Sequence, residues 1–466
     1  MTDELFDMIV IGSGPGGQKA AVQAAKTGAR VVVIEQDAQP GGACVHRGTI
    51  PSKTLRETAI ALGTLRRRSG GVLDLVPPDD LKLASLMTRV DGVVAAHQQF
   101  IGQQLDRNGI TRWHGRARFA TPHVVEVRGV DGTTRSATAT HIVIATGSRP
   151  RNPPDVPIDH ENVLDSDSIL SLAYLPKSLS VIGSGVIATE YACIFAELGV
   201  KVVMIDRSPR PLAFLDEELS TELVRAFERR GGRYLGERTV KNIVWDGVEV
   251  IAMLDDATQI RAEKLLYCLG REANLAGLAL ERAGLAPTAR GLLAVDAYCR
   301  TKVPHIYAVG DVAGAPSLAS TAMEQGRRAA CHAYGIPVQD LSDVIPAGVY
   351  AIPELATVGM TEAQACERLG GAVVGRARFS ELARGQIAAI EEGLLKLVCA
   401  PDGHRLVGVQ VIGEGAAELV HLGQIAIISN WDVDQFVDNV FNFPTLGEAY
   451  RVAALDVAKR RAPQRL

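Results

Sequence analysis

Two segments of this chain share one plan: an apolar run, a glycine-rich turn, a helical segment and a second apolar run that ends in an acid. The first segment runs from Phe6 to Glu35 and the second from Ser178 to Asp206. Short apolar runs predict buried strands, and two parallel strands need a crossover such as a helix between them. The plan therefore predicts two βαβ units, each forming part of a doubly wound parallel sheet.

The first turn carries Gly12, Gly14 and Gly17 in the spacing G-x-G-x-x-G, and Glu35 ends the strand that follows. The spacing alone is a weak signal in a chain with 46 glycines among 466 residues. Its place between a strand and a helix gives it weight, because such glycines let a pyrophosphate approach the helix N-terminus. The final carboxylate can accept hydrogen bonds from ribose hydroxyls. These residues predict a dinucleotide site; the alternative is a plain glycine-rich turn.

The second turn has Gly183 and Gly185 followed by Ala188, and the next strand ends at Asp206 beside Arg207. An acid at this point favours a free ribose 2′-hydroxyl, whereas an arginine accommodates a 2′-phosphate. The pair predicts a nicotinamide site that accepts both NADH and NADPH. The alternative is a polar surface pair with no role in binding.

Composition excludes several other classes of protein. Hydrophobic residues make up 47% and charged residues 22%, as in globular proteins, and the net charge of −4 gives no basic footprint for nucleic acid. The longest stretch without Asp, Glu, Lys or Arg is the 14 residues Gly92–Leu105, whereas a membrane-spanning helix needs about 20 apolar residues. The acidic N-terminus is unlike a signal peptide, and the seven cysteines form no C-x-x-C pair. We expect a cytoplasmic protein without a metal site.

Further motifs follow in order along almost the whole chain: GGACVHRGTIPSK (Gly41–Lys53), IVIATGSRP (Ile142–Pro150), GSGVIATE (Gly183–Glu190), LYCLGR (Leu266–Arg271), IYAVGDV (Ile306–Val312) and FPTLGEA (Phe443–Ala449). Together with the two turns, they resemble the FAD-dependent pyridine nucleotide–disulfide oxidoreductases. The resemblance implies one FAD per chain on the first turn and a nicotinamide nucleotide, NAD or NADP, on the second. It also implies a homodimer or higher homo-oligomer formed through the C-terminal domain.

The expected fold class is α/β, with two Rossmann-like doubly wound dinucleotide-binding domains plus a C-terminal α+β interface domain. A proline-rich stretch after Pro150 marks one boundary. From about Pro346 the mixed and alternating segments suggest an antiparallel sheet, with helices around Ala416–Ser429 and Leu446–Arg460. The predicted segments are residues 1–150 and 273–345 for the FAD domain, 151–272 for the NAD(P) domain and 346–466 for the interface domain.

The resemblance also implies roles for individual residues. Asp311 would hold the ribitol of the flavin, and Lys53 would lie beside the flavin N5 and pair with Glu190; the alternative for that pair is a structural ion pair. The implied catalytic residues are Lys53, Glu190 and Thr49. The other implied FAD contacts are Gln36, Gly41, Gly42, Cys44, Gly115, Ala117, Thr146, Gly147 and Ala319. The nicotinamide site would also include Gly270 and Arg271.

The chain departs from the family pattern at two places that serve disulfide chemistry. The first motif of the family holds two cysteines separated by four residues, but here Cys44 is followed by Thr49. The C-terminal motif of the family holds a histidine as acid and base, but here the residue is Phe443, while Glu448 remains. A single thiol cannot cycle between dithiol and disulfide, and a phenyl ring takes no proton. We therefore expect no disulfide substrate, and Cys44 is interpreted as a small buried residue.

The flavin half of the family pattern is intact, and several segments resemble the transhydrogenases of this family: GTIPSK (Gly48–Lys53), SDSILS (Ser166–Ser171), LAFLD (Leu212–Asp216), PSLAS (Pro316–Ser320) and EAYRVAAL (Glu448–Leu455). The resemblance implies hydride transfer from NADPH to NAD⁺ through FAD. Since only one nicotinamide fingerprint is visible, the two nucleotides would take turns, in a ping-pong scheme. The alternatives are an NAD(P)H-dependent quinone or dye reductase or oxidase, and an FAD-binding subunit without nicotinamide turnover.

Overall fold

The computed structural model describes residues 3–68, 83–339 and 342–461. The α-helices within these ranges are α1 Pro15–Ala25, α2 Gly42–His46, α3 Thr49–Arg68, α4 Leu83–Arg107, α5 Val186–Glu197, α6 Glu217–Arg229, α7 Ala319–Ala333, α8 Glu362–Leu369, α9 Ala383–Ile387, α10 Ala416–Ile428, α11 Asp434–Asp438 and α12 Glu448–Arg460. Short 3₁₀ helices cover Ser168–Ser171, Leu280–Ala283, Gly310–Val312 and Phe379–Glu381. No helix in the described ranges has an apolar stretch long enough to cross a bilayer.

The strands of the same ranges are β1 Asp3–Ile11, β2 Val31–Glu35, β3 Thr111–His114, β4 Arg116–Thr121, β5 Val124–Arg128, β6 Thr134–Ile144, β7 Ser148–Pro150, β8 Val163–Leu164, β9 Ser178–Ile182, β10 Lys201–Ile205, β11 Arg233–Leu235, β12 Val240–Trp245, β13 Val250–Leu254, β14 Gln259–Ala262, β15 Lys264–Tyr267, β16 Arg271–Ala273, β17 Ile306–Ala308, β18 Ala347–Val349, β19 Leu355–Gly359, β20 Val373–Arg378, β21 Gly393–Cys399 and β22 Leu406–Gly413. Both predicted βαβ units are confirmed, because β1 pairs in parallel with β2 across α1, and β9 pairs in parallel with β10 across α5.

The chain folds as two compact units. The first comprises Met1–Thr54, Ala84–Asn152 and Gly270–Leu341, and the second comprises Leu55–Leu83, Pro153–Leu269 and Ser342–Leu466. The second unit thus holds residues of both the predicted NAD(P) domain and the predicted interface domain. The division into four segments stays a prediction.

The first unit is built on a seven-stranded sheet in the order β3-β2-β1-β6-β5-β4, with β17 also paired to β6. The strands β3, β2, β1, β6 and β17 are parallel. The C-terminal residues of β1 and β6, most of β2 and all of β17 are buried, as expected where both faces of a parallel sheet are covered. Helices α1 and α7 cross closely, since a Cβ at Gly326 would lie 2.0 Å from the carbonyl oxygen of Gly16. This order places the carboxyl ends of the parallel strands along one edge, where open α/β sheets bind ligands.

The second unit contains a parallel sheet in the order β11-β10-β9-β15-β8 and a small antiparallel sheet of β12, β13 and β14. It also contains an antiparallel sheet in the order β18-β19-β22-β21-β20, which confirms the sheet predicted beyond Pro346. Lys396 on β21 is buried and contacts Asp216, the N-cap of α6, at 2.8 Å. Removing one partner of a buried pair is strongly destabilising, so this contact fixes the N-terminus of α6 in the second unit.

Candidate functional site

The first glycine turn is shaped both by packing and by open space. Gly12 has φ of +102°, and a Cβ there would lie 2.4 Å from the carbonyl oxygen of Ala145. A Cβ on Gly17 would lie 2.0 Å from the carbonyl oxygen of Gly12. A Cβ on Gly14 would meet nothing within 4 Å, and Gly14 caps α1 without a side-chain hydrogen bond. The first N–H groups of α1 therefore border an open space, as the phosphates of a dinucleotide require.

Glu35 orders the turn from the end of β2. Its Oε2 accepts hydrogen bonds from the Ser13 N at 2.8 Å and the Ser13 Oγ at 2.6 Å, and its Oε1 accepts from the Asp37 N at 3.0 Å. The Ser13 Oγ also accepts from the Gly41 N at 3.0 Å. The predicted role of Glu35 toward a ribose stays a prediction. Sequence reasoning missed Ser13, although a serine stands between the first two glycines of both turns.

Other predicted FAD residues lie at the same edge of the sheet. The Gly115 N donates to the carbonyl oxygen of Glu35 at 2.8 Å, and a Cβ on Gly42 would lie 2.8 Å from the Gly14 Cα. Thr146, which follows β6, has a buried Oγ1 without a hydrogen-bond partner in the part of the chain that is described. A buried hydroxyl in need of a partner and an open space at Gly14 both fit a polar cofactor along this edge.

The remaining predicted FAD residues are placed as follows. Gly41 is the N-cap of α2, Gly147 follows Thr146 with φ of +67°, and Ala319 begins α7, whose N-cap makes no side-chain hydrogen bond. The carbonyl oxygen of Gln36 accepts from the ring of His114 at 3.2 Å. Ala117 on β4 packs against the hydrophobic core of the first unit. Their contacts with a cofactor stay predictions.

Cys44 and Thr49 contact each other at the place where the family motif has its two cysteines. Burial is the largest influence on the Cys44 thiol and raises its pKa, while a hydrogen bond with the Thr49 side chain and the charge of Lys53 act in the opposite direction. The charge of Asp311 is also close enough to raise this pKa. A thiol with a raised pKa stays protonated at neutral pH, and the neighbouring hydroxyl cannot form a disulfide with it. The structure thus brings Cys44, Thr49, Lys53 and Asp311 together without a dithiol.

The second glycine turn repeats this arrangement in the second unit. Gly183 has φ of +114°, and a Cβ there would lie 2.9 Å from the carbonyl oxygen of Cys268. A Cβ on Gly185 would meet nothing within 4 Å, and Gly185 caps α5 without a side-chain hydrogen bond. Ala188 is only 1% exposed, so there is little room for a larger side chain. The space at Gly185 suits a second pyrophosphate.

The loop after β10 carries two arginines, Arg207 and Arg210, which differ in whether the guanidinium group is engaged by the protein. The Asp206 Oδ1 accepts from the Ser208 N at 2.7 Å, which closes a tight turn. Arg210 donates to the Leu215 carbonyl oxygen at 3.0 Å and to the Ser220 Oγ at 3.2 Å, so its guanidinium stabilises the loop before α6. Arg207 is exposed and has no partner among the described residues. Of the two arginines, Arg207 is the one that can reach a ligand.

Tyr234 on β11 supports this loop, and sequence reasoning missed it. Its hydroxyl donates to the carbonyl oxygen of Ser208 at 2.7 Å. Burial raises the pKa of Tyr234, while a hydrogen bond with the Ser184 side chain opposes that shift. Tyr234 therefore links the glycine turn to the loop that follows Asp206. The sequence signal for this contact is only indirect, because it depends on β11 lying beside β10 in the sheet.

Glu190 and Arg271, which were also predicted, each have a partner within their own unit. The Oε1 of Glu190, which is 5% exposed, accepts from the Tyr350 N at 2.9 Å in the second unit. Gly270 and Arg271 belong to the first unit, and the Arg271 Nε donates to the Ser148 Oγ at 2.8 Å. The pairing of Lys53 with Glu190 and the nicotinamide contacts of Gly270 and Arg271 stay predictions.

The C-terminal motif carries no proton-transfer group at position 443. Phe443 is 68% exposed, and Glu448 lies in the first turn of α12, where its Oε2 accepts from the Thr445 N at 3.4 Å. The aromatic ring that replaces the family histidine can pack but cannot exchange a proton.

One cluster in the second unit has the spacing of metal ligands. His404, Asp432 and Asp434 each place a ligand atom within 4.8 Å of the others. Arg461 forms an ion pair with Asp434 at 2.8 Å, so a cation already occupies part of this cluster. The prediction that the protein has no metal site stays a prediction.

Comparisons with known proteins agree with this geometry. Residues 6–326 match the family model "Pyridine nucleotide-disulphide oxidoreductase", and residues 345–454 match its dimerisation domain. Proteins named soluble pyridine nucleotide transhydrogenase are similar over nearly the whole length. The relative from Mycobacterium bovis (strain BCG / Pasteur 1173P2) is 41% identical over 98% of this chain and 97% of its own. The relative from Hahella chejuensis is 40% identical over 99% of this chain and 100% of its own.

Solved structures are also similar to this chain over nearly its whole length. The crystal structure of LpdA from Mycobacterium tuberculosis has a TM-score of 0.89 at 29% identity, covering 96% of this chain and 99% of that one. RclA from Escherichia coli, described as an HOCl-induced flavoprotein disulfide reductase, has a TM-score of 0.87 at 26% identity in its Cu(II) complex, covering 98% of this chain and 99% of that one. The α/β fold class expected from the sequence is confirmed.

Proposed function

Because the chain belongs to the pyridine nucleotide–disulphide oxidoreductase family, we propose that this oxidoreductase transfers hydride from NADPH to NAD⁺ through FAD, at one nicotinamide site and without a disulfide step. The names of its relatives support the pairing of the two nucleotides. The observation that carries the proposal is the replacement of the dithiol: Cys44 faces the Thr49 hydroxyl instead of a second thiol. Without a dithiol, electrons have no route from a flavin to a disulfide substrate.

The first unit provides the residues that would hold FAD. The open N-terminus of α1 at Gly14 suits the pyrophosphate, the Thr146 hydroxyl offers an unused hydrogen bond, and Asp311 offers a carboxylate for a polyol hydroxyl. When bound, FAD supplies the hydride acceptor and donor that no side chain can supply. The protein positions the groups and sets the charge around them.

Lys53 provides positive charge near Cys44 and Thr49, as its effect on the Cys44 thiol indicates. A fixed cation stabilises negative charge that develops nearby, at no cost in reorganisation. The half-buried Cys44 stays a neutral thiol, so it adds no competing negative charge. The second unit would bind the nicotinamide nucleotide at Gly185, with Asp206 and Arg207 at its adenosine end.

The proposed assembly is a cytoplasmic homodimer. The C-terminal segment matches a dimerisation domain, and α10 exposes Leu422, Ile425 and Ile428 at 46%, 58% and 48%. Apolar side chains three residues apart lie on one face of a helix, and such a face is stabilised when another surface covers it. This supports self-association through the C-terminal domain.

Steady-state kinetics test the single-site scheme. Double-reciprocal plots against NAD⁺ at several fixed NADPH concentrations should be parallel, because the first nucleotide leaves before the second binds. The acceptor should also be varied, because a quinone or dye reductase would use the same first half-reaction. Intersecting lines would contradict a single site, and turnover with quinone or oxygen that greatly exceeds turnover with NAD⁺ would favour the reductase or oxidase alternative.

Arg207→Ala should raise the KM for NADPH about tenfold or more and leave the KM for NADH nearly unchanged. The reason is that a hydrogen bond to a charged group contributes roughly 1.5–3 kcal/mol. Arg207 is suited to this role because it is exposed and uncommitted among the described residues, whereas Arg210 stabilises the loop. Arg233→Ala is the matched control, because Arg233 is an exposed arginine on the neighbouring strand β11, where it pairs with Val203 and not with the loop after β10. Equal losses for NADH and NADPH in Arg207→Ala would mean that the residue does not select the nucleotide.

A further inference from the structure

Arg271, Ser148 and Asp311 form a chain of hydrogen bonds within the first unit. The Arg271 Nε donates to the Ser148 Oγ at 2.8 Å, and its Nη2 donates to the Ser148 carbonyl oxygen at 2.8 Å. The Ser148 Oγ in turn donates to the Asp311 Oδ2. The motif that would bind a nicotinamide nucleotide by resemblance is therefore linked through Ser148 to the residue that would hold the flavin.

The chemistry of the three groups fixes the direction of this chain. A guanidinium can only donate hydrogen bonds, and an ionised carboxylate can only accept them. Since Ser148 accepts from Arg271, its own hydroxyl hydrogen is directed to Asp311. The hydroxyl hydrogen cannot rotate away without losing its hydrogen bond to Asp311, and such linked hydrogen bonds strengthen each other.

The two ends of this hydrogen-bonded chain, Arg271 and Asp311, lie on different backbone segments, and each segment is held by its own hydrogen bonds. Strands β7 and β16 pair antiparallel, with Ser148 opposite Ala273 and Arg271 opposite Pro150. Asp311 comes from the 3₁₀ helix Gly310–Val312, whose Gly310 N donates to the Gln325 Oε1 at 2.8 Å. With Oδ2 engaged by Ser148, the Asp311 Oδ1 has no hydrogen bond from the described residues, which leaves it available to a ligand hydroxyl.

We propose that Arg271 and Ser148 are positioning residues for the flavin cofactor, which hold Asp311 as an acceptor for a hydroxyl of the polyol chain. The inference rests on the proposed function, because it takes FAD as the ligand of the first unit. It assigns Arg271 to the flavin side and not to the nicotinamide nucleotide. An arginine suits this place because its planar guanidinium reaches the hydroxyl and the carbonyl oxygen of one residue together.

The test compares FAD affinity with nucleotide affinity in Arg271→Ala. Apoprotein is titrated with FAD, and binding is followed by the change in flavin fluorescence. The expected result is a 10- to 100-fold rise in the Kd for FAD, which corresponds to about 1.4–2.8 kcal/mol. At saturating FAD, the KM values for NADPH and NAD⁺ should stay within about twofold of wild type, a change too small to represent a lost charged contact.

Arg149→Ala is the matched control. Arg149 lies on the same strand pair, where its exposed side chain forms an ion pair with Glu272 at 2.6 Å. Exposed pairs of this kind contribute little, so this variant should keep the wild-type Kd for FAD. If Arg149→Ala weakens FAD as much as Arg271→Ala does, the strand pair and not the hydrogen-bonded chain is responsible, and the inference is wrong.

Two Ser148 variants decide the matter if Arg271→Ala does not fold. Ser148→Ala should weaken FAD by a similar factor, and Ser148→Thr, which restores a hydroxyl, should recover most of the affinity. In the double variant the losses should not add, because both residues act through Asp311. Wild-type FAD affinity in Ser148→Ala, or wild-type FAD affinity with raised nucleotide KM values in Arg271→Ala, would overturn the inference. A wild-type protein that binds no FAD would instead refute the proposed function.

Discussion

Replacing Gly14 with valine is expected to give a folded protein without flavin and without measurable hydride transfer. The added side chain meets no protein atom within 4 Å of its Cβ, so the apoprotein has room for it. It occupies the space beside the N-terminus of α1 that suits the pyrophosphate. Loss of two charge-assisted hydrogen bonds at roughly 2 kcal/mol each weakens FAD about 1000-fold. The flavin absorbance of the purified protein and its far-ultraviolet circular dichroism measure the two parts of this expectation.

Valine substitutions at two other glycines distinguish a loss of the cofactor from a loss of the fold. Gly92→Val is the matched control, because Gly92 on α4 is exposed and its added Cβ also meets nothing within 4 Å. It should keep its flavin. Gly12→Val should fail to fold, since its Cβ would lie 2.4 Å from the Ala145 carbonyl oxygen at a φ of +102°. A soluble Gly14→Val protein with a full complement of FAD would place the flavin elsewhere in the chain.

The parts of the site that the sequence predicted are the parts made by neighbouring residues. A strand, a glycine turn and a helix follow one another within a few residues, so the turns at Gly12 and Gly183 could be located from the glycine spacing together with the predicted strand before it and helix after it. The sequence position of the acid that ends the next strand is also a local feature, because the length of the crossover helix determines how many residues separate the acid from the turn. The antiparallel sheet beyond Pro346 was predicted for the same reason, because alternation is a local pattern.

The contacts that the sequence did not predict join residues that are distant in the chain. Ser148 and Asp311 are 163 positions apart, and Ser148 and Arg271 are 123 apart. Tyr234 lies 26 positions after Ser208, on a strand whose place beside β10 follows from the order of the sheet. No spacing rule specifies such pairs, because they depend on which strands become neighbours. Resemblance assigned Arg271 by its motif, whereas its hydrogen bonds place it beside Ser148.

The substitution Gly185→Val should abolish transfer from NADPH and transfer to NAD⁺ together, while the protein keeps its FAD. The Cβ of Gly185 meets nothing within 4 Å, so the side chain fills the space beside α5 and leaves the fold of the second unit intact. The first unit, which would hold FAD, does not contain this residue. Loss of the phosphate contacts should raise the KM for either nucleotide roughly 100-fold or more.

This variant tests the number of nicotinamide sites more directly than kinetics alone. If both nucleotides use the turn at Gly183 and Gly185, one substitution must weaken them by the same factor, because each binds its pyrophosphate at the same N–H groups of α5. Stopped-flow reduction by NADPH and reoxidation by NAD⁺ measure the two steps separately, with Gly92→Val as the control. If Gly185→Val lost only one of the steps, the protein would need a second nucleotide site. The described part of the chain offers two uncapped glycine turns that open a helix after a parallel strand, at Gly14 and Gly185, and we propose the first as the FAD site. If NADPH and NAD⁺ share the turn at Gly185, reduction by NADPH and reoxidation by NAD⁺ should therefore be lost to the same extent.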